Sequence, residues 1–114
     1  YAVSKKFYTE VLGFQVIQEV YREARDSYKL DLAFPDGSYV IELFSFPNPP
    51  DRVSRPEAAG LRHLAFEVDD IEAIVTQLQQ KGVVLEPIRV DEFTKKRFTF
   101  FADPDNLPIE IYEK

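Results

Sequence analysis

Pro104-Asp105-Asn106-Leu107-Pro108-Ile109-Glu110-Ile111, near the end of the chain, echoes an earlier stretch, Pro35-Asp36-Gly37 followed by Val40-Ile41-Glu42-Leu43. In both, a turn-forming triplet precedes a branched, apolar run with one glutamate set in its middle. Such an echo marks an internal repeat, and the residues around each copy can be read as one unit. Working outward from the second copy, the spacing predicts strands over 61–68, 83–90, 95–102 and 107–113. It also predicts a helix that Asp69 or Asp70 caps, running through Ile71, Ile74, Val75 and Leu78 to Lys81-Gly82. That half reads βαβββ. Around the first copy, Val3, Phe7, Tyr8, Val11 and Leu12 form a helical stripe stopped by Gly13, and strands are predicted over 14–23, 28–35 and 38–46. This half reads αβββ and matches the other if one strand precedes Tyr1. Between them, 47–60 holds Pro47, Pro49, Pro50 and Pro56 and is expected to be a linker, because proline cannot serve a central strand or a helix interior. The expectation is therefore a single α+β domain, 1–114, of two βαβββ modules in tandem, 1–46 and 61–114, with the first strand of module one missing.

Three polar residues interrupt apolar strands: Glu42 in Val40-Ile41-Glu42-Leu43-Phe44, His63 in Leu61-Arg62-His63-Leu64-Ala65-Phe66, and Glu110 in Pro108-Ile109-Glu110-Ile111-Tyr112. A carboxylate taken out of water without a partner costs several kcal/mol, so it pairs, protonates or binds a cation. Two carboxylates and one imidazole form a mixed oxygen and nitrogen ligand set suited to Zn, Ni, Co, Mn or Fe(II). Alternation along each strand puts Leu64, Phe66 and Val68 opposite His63, Ile109 and Ile111 opposite Glu110, and Ile41 and Leu43 opposite Glu42. The three polar groups are thus expected on the helix-free side, the sheet curving around a metal-binding cleft. Phe44 and Phe46 share the Glu42 face, where they could wall a pocket or complete the core.

Composition narrows the function. Hydrophobic residues make up 45% of the 114 and aromatic ones 14%, enough for one compact domain. A formal charge of −6 and a pI near 4.8 argue against a nucleic-acid surface, and Lys95-Lys96-Arg97 is too short a basic cluster to reverse that. No apolar run approaches the roughly 20 residues that span a bilayer. The absence of Cys excludes disulfides and a thiol nucleophile. A cytoplasmic protein acting on a small molecule is the default expectation.

The paired modules, Ser4-Lys5-Lys6-Phe7-Tyr8-Thr9-Glu10-Val11-Leu12-Gly13-Phe14, the Glu42 strand, Leu61-Arg62-His63-Leu64-Ala65-Phe66 and Asp103-Pro104-Asp105 before Ile109-Glu110-Ile111 resemble the vicinal oxygen chelate superfamily along essentially the whole chain. The likeness is greatest to the glyoxalase I and bleomycin-resistance branch, especially small bacterial glyoxalase-like proteins. The resemblance implies that Glu42, His63 and Glu110 are three ligands of one divalent metal ion, with a fourth expected before Tyr1. It implies a lyase or isomerase acting on a vicinal-oxygen substrate such as the hemithioacetal of a 2-oxoaldehyde, with Glu110 as the proton-shuttling base and Glu42 as second candidate. Bacterial glyoxalase I has an Asn after the strand-four Glu that helps to hold glutathione; Ser45-Phe46-Pro47 stands here instead, which speaks against glutathione. Arg22, Arg25, Arg62, Lys95, Lys96 and Arg97 are candidate partners for an anionic substrate group. The alternatives are a metal-free binding protein of bleomycin-resistance type, which the net acidity suits, and a metal-dependent thiol transferase of fosfomycin-resistance type. A homodimer is expected from the resemblance.

Overall fold

A computed structural model describes residues 1–114, apart from the side chains of Tyr39 and Val40. The chain divides into two compact units, Tyr1–Asp51 and Arg52–Lys114. Both are mixtures of helix and sheet, as the α+β reading requires.

The first unit opens with helix α1, Ala2–Lys6, which widens into a π-helical turn over Phe7–Val11. Gly13 then takes φ +81°, a backbone state that favours glycine, and so supplies the expected stop. Strands β1 (Gln15–Arg22), β2 (Ser27–Ala33) and β3 (Tyr39–Phe44) follow as an antiparallel sheet in the order β1-β2-β3. Tyr8, Phe14, Leu30, Leu32 and Ala33 form its core. Tyr8 and Phe14 stack with ring centroids 6.1 Å apart, fixing the helical segment by large aromatic contacts. Val3, placed on the apolar stripe by its spacing, is instead 70% exposed, because the short α1 turns only part of that stripe inward.

The second unit carries β4 (Leu64–Val68), helix α2 (Ile71–Gln80), β5 (Arg89–Val90), β6 (Arg97–Ala102) and β7 (Pro108–Glu113). Its four-stranded sheet runs β4-β7-β6-β5, with β4 and β7 parallel and the other pairs antiparallel. This is the predicted βαβββ module. Asp70 provides the cap of α2, its Oδ1 accepting from the Ala73 N–H at 3.0 Å. Ile71 and Leu78 are buried from the helix, and Ile109, Ile111, Thr99 and Phe101 from the sheet. The strand predicted over 83–90 shrinks to Arg89–Val90. Val83 donates its N–H to Leu78 O as part of the helix terminus, and Pro87 has no N–H to offer a ladder.

The repeat is visible in the turns. Gly37 (φ +87°) before β3 and Asn106 (φ +67°) before β7 both hold left-handed backbone, which Gly and then Asn tolerate best. Each turn is tied by an aspartate: Asp36 Oδ1 accepts from Ser38 N, and Asp103 Oδ1 from Asp105 N and Leu107 N. The Ser38 contacts hold the Asp36 carboxyl below its ordinary range.

Candidate functional site

Alternation along β7 buries Ile109 and Ile111 on the α2 side and leaves Glu110 on the opposite face. In register beside Glu110 lie Ala65 of β4 and Phe100 of β6. His63, one residue ahead of β4 and two from Ala65, reaches the same face. Its Nε2 stands 3.2 Å from Glu110 Oε2, and its ring meets the edge of Phe100 with centroids 5.2 Å apart. The Glu110 side chain is only 15% exposed and His63 34%, so the carboxylate is shielded and the imidazole faces outward. Phe98 and Tyr112 stack at 6.4 Å further along this face, and Arg89 lies 4.9 Å from the Phe98 centroid, held in turn by Glu86 at 2.8 Å. A cavity of about 250 Å³ in the same unit, with Ser54, Arg55, Glu86 and Pro108 among its lining, shares the Phe100 wall.

In the first unit, Glu42 projects from the centre of β3 on the face of Phe44, opposite Ile41 and Leu43. Its carboxylate is not bare. Lys29 of β2 contacts Glu42 at 2.9 Å and Asp31 at 3.0 Å, a cation between two carboxylates. Hydrogen bonds to Glu42 and then Asp31 raise the Lys29 pKa above its ordinary value, so the ammonium stays charged. Sequence reading missed Lys29, although the Lys29-x-Asp31 spacing already put both on one face of β2. Arg22 lies over the Phe44 and Phe46 rings, 4.8 and 5.8 Å from their centroids, and donates to Ser27 Oγ at 2.9 Å, while Phe46 remains 47% exposed. Of the other candidate cations, Arg97 is clamped by Glu113 at 3.0 and 2.6 Å and by Glu72 at 3.0 Å.

Of the three candidate ligands, then, the structure brings His63 and Glu110 together and places Glu42 against Lys29. Among the described residues, no group of three or more His, Asp or Glu side chains is gathered so as to hold a metal. The pair itself fits one. Two ligands at bond lengths of about 2.1 Å stand about 3.0 to 3.4 Å apart for octahedral to tetrahedral angles, and an imidazole with a carboxylate suits a borderline divalent ion. The observed 3.2 Å lies in that window.

The chain belongs to the Glyoxalase/Bleomycin resistance protein/Dioxygenase superfamily, whose family model matches residues 1–111. Proteins of this superfamily bind small molecules, often with a divalent metal, and include enzymes such as glyoxalase I. The chain is 67% identical over 114 residues to the uncharacterized protein YaeR of Escherichia coli (strain K12), covering 100% of this chain and 88% of YaeR. The crystal structure of the glyoxalase family protein from Enterococcus faecalis is similar with a TM-score of 0.91 at 47% identity, covering 99% of this chain and 88% of that one. The lactoylglutathione lyase of Schizosaccharomyces pombe is 30% identical over 129 residues, 95% of this chain but 42% of that enzyme. No helix among the described residues is long and apolar enough to cross a membrane.

Proposed function

We propose that this protein is a metal-dependent lyase or isomerase of glyoxalase type, acting on a small vicinal-oxygen compound such as the hemithioacetal of a 2-oxoaldehyde. The observation that carries the reading is the His63–Glu110 pair, 3.2 Å apart on the sheet face opposite the helix. The likeness to a lactoylglutathione lyase supports it. One divalent ion, Zn, Ni or Co in first place and Mn or Fe after them, would be held by His63 and Glu110, and Glu42 is the residue proposed as a third ligand. Such an ion supplies a Lewis acid that polarises a substrate carbonyl and offsets the negative charge developing beside it. Glu110 would take the proton from the carbon next to that carbonyl and return it to the carbonyl carbon, the hydroxyl proton passing to the former carbonyl oxygen, for which a carboxylate only 15% exposed is well placed. His63, set beside that carboxylate at 3.2 Å, would hold the ion next to it. Phe100, against the imidazole, excludes water from one side of it. We further propose a homodimer working in the cytoplasm.

The Lys29–Glu42 ion pair favours a second reading, a metal-free binding protein of bleomycin-resistance type, because it gives Glu42 a cationic partner other than a metal. A fosfomycin-resistance-type thiol transferase would use the same ligands. The deciding experiment measures the metal content of protein purified without chelator, then turnover of several 2-oxoaldehydes with several thiols. About one divalent ion per site, lost in His63→Ala, together with turnover, upholds the enzyme. Protein that takes up no ion from Ni, Co, Zn or Mn leaves the binding reading in its place.

A further inference from the structure

The spacing of the His63–Glu110 pair is not set by the sheet alone. Cα pairing between the parallel strands begins at Leu64 opposite Ile109, so His63 stands just outside the ladder. The first residue of β7 is Pro108, which has no N–H to extend that ladder toward His63. Something else must fix the backbone there. Arg52, from the proline-rich segment, donates from Nη2 to the carbonyls of Leu61 and Arg62, the latter at 3.1 Å, the two residues directly ahead of His63. Its Nε donates at 3.0 Å to Ser54 Oγ, and that hydroxyl donates at 2.6 Å to the carbonyl of Asn106, two residues ahead of Pro108. Ser54 is 4% exposed, so water cannot freely replace the two bonds its hydroxyl makes. One guanidinium and one hydroxyl therefore tie the chain entering His63 to the chain entering the Glu110 strand.

We infer that Arg52 and Ser54 form a clasp that positions His63 against Glu110 for the shared ion, which makes both positioning residues of the proposed site. The guanidinium is required rather than a positive charge alone, because it sets Nε toward the hydroxyl and Nη2 toward the two carbonyls from separate atoms of one rigid plane, whereas an ammonium carries all its donors on a single atom. The hydroxyl is required because it must accept from Arg52 and donate to Asn106 together. The inference rests on the proposed metal function, and its test has a readout that does not.

His63 is the chain's single histidine, so its imidazole NMR signals need no assignment among rivals. We would record them at fixed pH, metal-free, for wild type, Ser54→Ala, Arg52→Lys, Ser54→Thr and, as a control, Arg97→Lys, and then titrate each protein with Zn²⁺ and separately with Ni²⁺. Ser54→Thr keeps the hydroxyl, at a position that borders the adjoining cavity. Arg97→Lys loosens the Glu113 contact, which lies in the same unit but away from the clasp. The expected result is moved or broadened imidazole signals and an affinity lower by about tenfold or more in Ser54→Ala and Arg52→Lys, as loss of groups that orient metal ligands commonly gives. Ser54→Thr and Arg97→Lys should stay near wild type. Unchanged signals in both Ser54→Ala and Arg52→Lys would overturn the clasp, as would equal shifts in Arg97→Lys, which would mark general loosening. Wild type that binds neither ion, with the imidazole signals still moved, would uphold the clasp and count against the metal function alone.

Discussion

At the level of single residues, the proposal assigns different work to two glutamates that look alike in sequence. Glu110→Gln keeps shape and leaves the amide oxygen able to accept from His63 Nε2, so the fold should persist while the basic carboxylate is gone. Turnover should fall by about a hundredfold to ten-thousandfold, the usual contribution of a positioned base, with an unchanged circular dichroism spectrum. Glu42 has a cation beside it already. Removing that competitor in Lys29→Met should raise affinity for a divalent ion by about two- to fivefold, the scale of a partly exposed ion pair, as read by competition with a chelating dye. An affinity that does not move would remove Glu42 from the ligand set and leave the ion to His63 and Glu110. The three residues could be singled out from sequence because each breaks an apolar run. Lys29, Arg52 and Ser54 could not, because a lysine in a strand or an arginine and a serine in a proline-rich segment are individually ordinary; their importance lies in pairings across 9 to 52 residues of chain.

Among the elements, legibility followed how far local signals agree with tertiary ones. Helix α2 was predicted almost to the residue, since the Asp70 cap, the Ile71–Leu78 stripe and Gly82 all point the same way. The 83–90 strand was overextended because its branched residues suit a strand, whereas Val83 bonds back to the helix terminus and Pro87 has no N–H, so pairing with β6 is interrupted despite the Glu86 N–H bond to Phe100 O; Val84 is left 89% exposed. In the second unit α2, β6 and β7 are further stapled where Arg97 joins Glu113 and Glu72. That staple makes a pH prediction. The Arg97 hydrogen bonds hold the Glu113 carboxyl below its ordinary 4.5 in the folded protein. A depressed carboxylate contributes its stability fully above the unfolded value and loses it as the pH falls through the folded one. Urea midpoints should therefore decline below about pH 4.5, and Glu113→Gln, which has no carboxylate to protonate, should show a smaller decline over the same range while being less stable near neutrality. Parallel pH profiles for the two proteins would show that the staple is not what titrates.

On the scale of the whole molecule, the repeat was the most legible feature, because it is written in turn chemistry that depends on few residues: Gly37 and Asn106 hold the same backbone state, and an aspartate ties each turn. The division at Asp51 and Arg52 falls inside the segment read as a linker, but that segment is more than a connection, since Arg52 and Ser54 are part of the second unit's framework. A bound ion should register on the stability of the molecule as well as on its chemistry. Anything that binds the folded chain and not the unfolded one stabilises it by mass action, by about 2.7 kcal/mol when free metal is a hundred times its Kd. Thermal unfolding should therefore move upward with each step in Zn²⁺ or Ni²⁺ concentration and return on adding chelator. His63→Ala should abolish the dependence, because it removes the only imidazole in the chain and with it one of the two donors set 3.2 Å apart. A midpoint that rises equally in wild type and His63→Ala would trace the stabilisation to ions scattered over an acidic surface of net charge −6, and would take the site away from the His63–Glu110 pair.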